Sequence, residues 1–169
     1  MNATLDAWNK TDEASALDAM VACCGAQRWA AAMAALRPIA GIVELSESAD
    51  RMWSTMEEAD WLEAFAAHPR IGERKAARAM GKSAAWSRAE QASINVAPGQ
   101  VLEELAEGNA AYEKKFGFPY IVCATGRSAE ELLAILNRRL DRDRASELRE
   151  AAEQQRQITQ LRLGKWLVE

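Results

Sequence analysis

Apolar residues recur every three or four positions along almost the whole chain, which is the spacing of one face of an α-helix. Alanine, leucine, glutamate, arginine and glutamine, which favour helices, dominate the sequence. Residues 120–124, between Pro119 and Gly126, have an extended pattern but are too isolated to found a sheet. We therefore predict an all-α fold, a single-domain bundle of about eight to ten helices over residues 1–169, with residues 120–124 as buried extended backbone.

Residues that start or stop helices divide this pattern into segments. Four side chains suit N-caps, two of them in the capping-box sequence S-x-x-E: Ser48, Asp60, Ser87 and Ser128. Stop signals stand at Gly25, before Pro38, at His68-Pro69 and at Gly117. We expect helices over about residues 13–23 and 100–115, one helix face formed by Trp29, Met33 and Leu36, a basic helix through residues 74–78, and a last helix that reaches Leu163.

Composition narrows the class of protein. The chain has 169 residues, 49% hydrophobic and 27% charged, which suits one domain with a sizeable core. A net charge of −4 and a pI near 5.2 provide no basic field for nucleic acid or an anionic membrane. No stretch approaches the roughly 20 apolar residues of a membrane span, and the first residues lack the pattern of a signal peptide. We expect a cytoplasmic protein that binds a small molecule or another protein, without nucleic acid or membrane.

Cysteine and histidine are too few for a common metal site. The three cysteines include the adjacent pair Cys23-Cys24 but no C-x-x-C sequence, and His68 is the single histidine. A disulfide framework or a zinc site needs more such residues at ligand spacing. We expect reduced thiols and no metal.

His68 is the natural candidate for a proton transfer, because imidazole has an unperturbed pKa near neutrality. It lies in the sequence His68-Pro69, and a proline disfavours the helical region for the residue before it. The ring is therefore expected to leave the helix end and to face a cavity. The alternative is a helix C-cap or a half-buried packing residue.

Two further features suit a binding site and also have structural interpretations. Ser87, Glu90 and Gln91 offer a hydroxyl, a carboxylate and an amide to a ligand rich in N–H and C=O groups, although S-x-x-E is equally a capping box. Arg162 has apolar residues on both sides in the sequence. It either extends to solvent or turns inward with two donors, and the periodicity does not decide between the two.

Taken in order, these residues resemble the family of 2-oxo-4-hydroxy-4-carboxy-5-ureidoimidazoline (OHCU) decarboxylases. The resemblance rests on Glu63-x-Phe65-x-x-His68-Pro69-x-Ile71-Gly72, Trp86-Ser87-x-x-Glu90-Gln91, Leu105-x-x-x-Asn109-x-x-Tyr112-x-x-Lys115-Phe116-Gly117-Phe118-Pro119-Tyr120-Ile121, Ala124-x-Gly126-Arg127-Ser128, Leu136-x-x-Arg139, Glu147 and Ile158-x-x-Leu161-Arg162-Leu163. It covers about residues 17–163. One departure is Ala92-Ser93, near where the family often has glycine.

The resemblance implies an all-helical enzyme without metal or organic cofactor that decarboxylates OHCU to (S)-allantoin, the third step from urate to allantoin. It makes His68 the catalytic acid or base and Glu90 its acidic partner. The substrate contacts that it implies are Pro69, Ser87, Gln91, Arg162 and backbone groups of Tyr120, Ile121, Val122, Cys123 and Ala124. Glu90 is expected to crowd the departing carboxylate, while His68 exchanges a proton with the 4-hydroxyl and helps to protonate the ring carbon from one face. The sequence does not decide whether the chain forms a homodimer, since a single core accounts for the apolar helix faces as well as a dimer interface would.

Two functions of other classes stay open on the residues alone. A histidine phosphotransfer bundle needs its histidine exposed in the middle of a regular helix beside a lysine, whereas this chain has Pro69 and Ile71 there. A non-catalytic bundle that binds a partner could use some of the six tryptophans as its interface.

Overall fold

The computed structural model describes residues 2–72 and 81–169, and within them it contains nine α-helices, one 3-10 helix and no strand. The α-helices are α1 Ala3–Lys10, α2 Glu13–Cys24, α3 Gln27–Ala35, α4 Ile42–Trp53, α5 Glu58–Ala66, α6 Lys82–Glu90, α7 Gly99–Phe116, α8 Ala129–Leu140 and α9 Arg144–Trp166, and the 3-10 helix is Ala92–Val96. The all-α expectation is confirmed. The basic helix expected through residues 74–78 lies outside the described residues.

The chain divides into two compact units. The terminal unit consists of Met1–Ala64 and Arg156–Glu169, and the central unit of Phe65–Gln155. Helices α5 and α9 each contribute residues to both units. The single domain stays a prediction. None of the described helices has the length and apolar character that a membrane crossing requires.

Tryptophan side chains form much of the terminal unit's core. Trp8 packs edge-on against Trp166 with ring centroids 5.8 Å apart, and both rings are buried. The Trp8 and Trp29 indole N–H groups donate to the carbonyls of Ala16 and Ala49, at 3.0 and 3.1 Å. These bonds satisfy the polar atom of each ring, so the rings can be buried without an unpaired donor.

Several helix ends of the terminal unit differ from the predictions. Helix α1, capped by the Asn2 side chain, was not predicted. Ser48 does not cap a helix but lies buried inside α4, which begins after Gly41. Asp60 lies in the first turn of α5, where its carboxylate accepts from the Glu57 N–H at 2.9 Å, so it caps from inside the helix. Leu36 ends α3 at 38% exposure and does not share the buried face.

The central unit is built on the contact between α7 and α8. Helix α7 buries Leu105, Asn109, Tyr112 and Phe116 on one face. Gly108 allows the close approach, because a Cβ at this position would lie 2.5 Å from Cδ2 of Leu136 on α8. Helix α7 ends at Gly117, and α8 begins with the capping box of Ser128, both as predicted. Residues 120–124 between these helices belong to no helix, and all but residue 123 are buried.

Candidate active site

His68 leaves the end of α5, as predicted, and its ring is anchored by an amide. Its backbone N–H donates to the Phe65 carbonyl at 3.1 Å, which closes the last turn. The ring is half-buried, and its Nε2 lies 2.7 Å from Oε1 of Gln155 on α9. Gln155 is fully buried. The imidazole therefore has a fixed partner that is shielded from water.

The loop that follows His68 is tied down along its length. Arg70 forms an exposed ion pair with Glu113 on α7. The buried side chain of Asn109 donates to the Ile71 carbonyl at 2.8 Å. The Gly72 N–H donates to Oε1 of Gln91 at 3.2 Å. Bonds to α7 and to the end of α6 therefore hold the backbone that carries the imidazole.

Ser87 and Glu90 are buried, at 4% and 9% exposure, in the second half of α6. Helix α6 begins at Lys82, after Gly81 with φ of 106°, a conformation that favours glycine. The prediction that Ser87 starts a helix is therefore wrong, and the capping box does not explain this sequence. Residues three apart lie on the same face of a helix, so the hydroxyl and the carboxylate are neighbours there.

Gln91, the C-cap residue of α6, uses its side-chain oxygen to accept from the Gly72 N–H. An amide oxygen only accepts and an amide nitrogen only donates. Its NH₂ group and the second lone pair of its oxygen are the groups that a substrate could use, and the residue also holds the His68 loop. The Ala92-Ser93 departure lies in the 3-10 helix.

Protein groups already engage several backbone atoms of residues 120–124. The Ile121 carbonyl accepts from Nη1 of Arg139 at 2.7 Å, and the Cys123 N–H donates to Oε1 of Gln154 at 2.9 Å. The carbonyls of Cys123 and Ala124 accept from Nε and the backbone N–H of Arg127. These bonds fix the course of the segment, and they reduce the backbone groups that remain for a ligand.

A buried ion pair supports this segment. Nη2 of Arg139 lies 2.5 Å from Oε1 of Glu147, and the Tyr112 hydroxyl donates to the same carboxylate. The Arg139 guanidinium lies 5.0 Å from the centre of the Tyr120 ring. Burial is the largest single influence on the pKa of Arg139 and lowers it, but the hydrogen bond to Glu147 and the electrostatic interactions with Tyr112, Glu147 and Tyr120 together outweigh burial, so the pKa is raised. Burial raises the pKa of Tyr112 and of Tyr120, so both phenols are neutral.

Arg162 belongs to the terminal unit, where it is 2% exposed on α9, whereas its neighbour Leu161 is 40% exposed. The arginine therefore turns inward and the leucine outward, which the periodicity did not decide. Burial raises the pKa of the Cys24 thiol to about 11, and the charge of Arg162 acts in the opposite direction. The other predicted site residues all belong to the central unit.

Gln155 and Asn109 contact the His68 loop but were not predicted as site residues. In the sequence, each is a polar residue at an apolar position of a long helical pattern. This position is the signal by which they could have been identified as site residues. Across the described parts of the chain, no group of three or more His, Cys, Asp or Glu side chains could hold a metal ion.

The family model of OHCU decarboxylase matches residues 9–164, most of the chain. The chain belongs to the OHCU decarboxylase family. A relative with the family name, the 2-oxo-4-hydroxy-4-carboxy-5-ureidoimidazoline decarboxylase of Haloferax volcanii, is 28% identical over 165 residues, which cover 96% of this chain and 95% of the relative.

Two other proteins, one of them with a solved structure, are also similar to this chain. The uric acid degradation bifunctional protein TTL of Arabidopsis thaliana is 37% identical over 144 residues, 85% of this chain, and the match spans 44% of the longer plant protein. A crystal structure of OHCU decarboxylase in the presence of (S)-allantoin superposes with a TM-score of 0.78 at 35% identity, and the match covers 90% of this chain and 99% of that one.

Proposed function

We propose that this chain decarboxylates OHCU to (S)-allantoin in urate degradation, with His68 as acid and base and Glu90 as its acidic partner. The observation that supports this reaction is membership of the OHCU decarboxylase family, whose model matches residues 9–164. The geometry of the central unit supports the residue roles, because the single imidazole is held at a helix end by a buried amide, on a loop that Gln91 also anchors.

The substrate provides the electron sink that the reaction requires. When the bond between the ring carbon and the carboxylate breaks, CO₂ leaves and the electron pair passes into the conjugated C=N bond, whose nitrogen takes up a proton. The 4-hydroxyl then loses its proton as the carbonyl forms, and the adjacent ring carbon gains one. One proton is consumed overall. His68 exchanges the hydroxyl proton and delivers a proton to the carbon from one face, which gives one enantiomer.

Glu90 raises the energy of the bound substrate. Its carboxylate is 9% exposed and shares a helix face with Ser87. A carboxylate beside the substrate's carboxylate repels it, and loss of CO₂ removes that repulsion.

The backbone bonds of residues 120–124 narrow the substrate contacts. The carbonyls of Ile121, Cys123 and Ala124 and the N–H of Cys123 bind protein groups. Tyr120 and Val122 are 4% and 5% exposed, and their backbone N–H and C=O groups have no partner within residues 2–72 and 81–169. Buried backbone groups are nearly always paired in folded proteins. We assign Tyr120 and Val122 as the main backbone contacts to the ureido or ring amide groups, with Pro69, Ser87 and Gln91 as further contacts.

The test is the reaction with freshly generated OHCU. The protein should accelerate the loss of the substrate's ultraviolet absorbance, and circular dichroism should show that the allantoin formed is the S enantiomer. Racemic allantoin at the uncatalysed rate would contradict the proposal.

A cytoplasmic location and a homodimer also stay proposals. Fractionation of cells that express the full chain would test the first, and light scattering at several protein concentrations would test the second.

A further inference from the structure

We propose that Gln155 is a positioning residue that fixes the tautomer of His68, so that Nδ1 is the ring nitrogen that exchanges the proton. The inference deepens the proposed function and rests on it. The contact that motivates it joins Nε2 of His68 and Oε1 of Gln155 at 2.7 Å.

The chemistry of the two groups decides the tautomer. An amide oxygen has no proton to donate, so the ring nitrogen that faces it must carry the hydrogen. A neutral imidazole has one N–H and one basic nitrogen. When Nε2 carries the hydrogen, Nδ1 is the basic nitrogen that accepts the proton of the substrate's hydroxyl.

Burial strengthens this bond. Gln155 is 0% exposed, so water does not compete for its oxygen. A buried amide that lost its partner would cost free energy, and this keeps the pair together.

Gln154 and Gln155 are neighbours on one turn of α9, and each forms a hydrogen bond to a different part of the central unit. Gln154 accepts from the Cys123 N–H at 2.9 Å, and its amide nitrogen is held by Glu150 at 3.0 Å. Gln155 bonds the His68 ring. One turn of helix thus positions both the acid and base and the segment assigned to substrate binding. The two glutamines therefore fix the geometry between proton donor and substrate.

The first measurement needs no variant. Because the chain has one histidine, ¹⁵N NMR of the labelled protein reports one imidazole without overlap. At a pH where the ring is neutral, we expect the Nε2–H tautomer. An Nδ1–H tautomer would overturn the proposal, even if no variant of Gln155 folded.

The variants separate positioning from a structural role. Gln155→Leu removes the acceptor at similar size, and Gln155→Glu keeps an acceptor in place. We expect Gln155→Leu to lose about 10 to 100-fold in kcat, the loss typical when the hydrogen-bond partner of a metal-bound histidine is removed, with little change in KM and with a mixture of tautomers. Gln155→Glu should keep the Nε2–H tautomer and retain more of kcat than Gln155→Leu.

Gln160→Leu is the matched control. It removes a glutamine from the same helix, but that side chain bonds Ser46 and Asp50. It should keep the tautomer and kcat. If Gln155→Leu keeps wild-type kcat, or loses kcat with an unchanged tautomer, Gln155 does not position the ring. If the wild-type chain fails to consume OHCU, the proposed function fails, and the NMR measurement still decides the tautomer.

Discussion

His68 shows how far a single residue can be interpreted from sequence. The proline after it predicted that it leaves the helix end, and the structure confirms this. Its partner Gln155 lies 87 residues further along the chain. No local pattern connects residues at that distance, so the anchor could not be predicted.

His68→Asn tests the acid and base role directly. Asparagine keeps polarity but cannot exchange a proton near neutrality, so turnover should fall by at least about 10²-fold, the lower end of what a placed general base contributes. The rate is followed by ultraviolet absorbance, and a melting curve checks that the variant folds. Full turnover in a folded His68→Asn would contradict the role.

Arg162→Ala tests the inward-facing arginine. Loss of a charged hydrogen bond of about 1.5–3 kcal/mol should raise KM by about 10 to 100-fold if Arg162 binds the substrate. Leu161→Ala, at an adjacent 40% exposed position, is the control and should leave KM unchanged. An unchanged KM and kcat in Arg162→Ala would leave that arginine with a structural role only.

At the scale of elements, the sequence motif S-x-x-E occurs at the start of one helix and in the interior of another. Ser128-x-x-Glu131 is a capping box, but Ser87-x-x-Glu90 lies inside α6. The reason is upstream, because Gly126 breaks the chain two residues before Ser128, whereas Gly81 breaks it six residues before Ser87. The motif alone does not locate a helix start. Two other helix starts also differ from the predictions: Ser48 lies inside α4, and the short helix α1 was not predicted.

The two serines give a paired prediction. Ser128→Ala should lower the free energy of unfolding by about 1 kcal/mol, because it removes an N-cap, and should leave kcat unchanged. Ser87→Ala should instead reduce kcat/KM, because Ser87 is assigned to the substrate. Urea unfolding and steady-state rates of both variants provide the measurement. A reversed pattern would contradict both assignments.

At the scale of the whole molecule, family membership decides between the functions that the residues left open. The all-α class was predicted from the spacing of apolar residues, and the structure confirms it. The family and its reaction were predicted from spaced motifs in the right order, and the comparisons confirm them. A phosphotransfer histidine would lie within a helix, and His68 lies after one. The division into two compact units was not predicted, because contacts distant in sequence define it.

Alkaline pH should destabilise the protein through Cys24. Burial raises the pKa of this thiol from 9.0 to about 11, so the folded chain holds the proton more tightly than the unfolded chain. The resulting stability is complete below pH 9 and is lost as the pH rises through 11, by about 3 kcal/mol. Urea unfolding across this range, compared with Cys24→Ala, isolates the thiol, because the buried tyrosines titrate in both proteins. Parallel curves would contradict the assignment.

The buried pair of Arg139 and Glu147 links helices α8 and α9 and also holds the Ile121 carbonyl. Removal of either partner would leave a charge unpaired in the interior, which proteins rarely tolerate. The segment assigned to the substrate therefore cannot loosen while the central unit stays folded. Such an enzyme should have no inactive but compact form in mild denaturant, and its activity and its helical signal should disappear together.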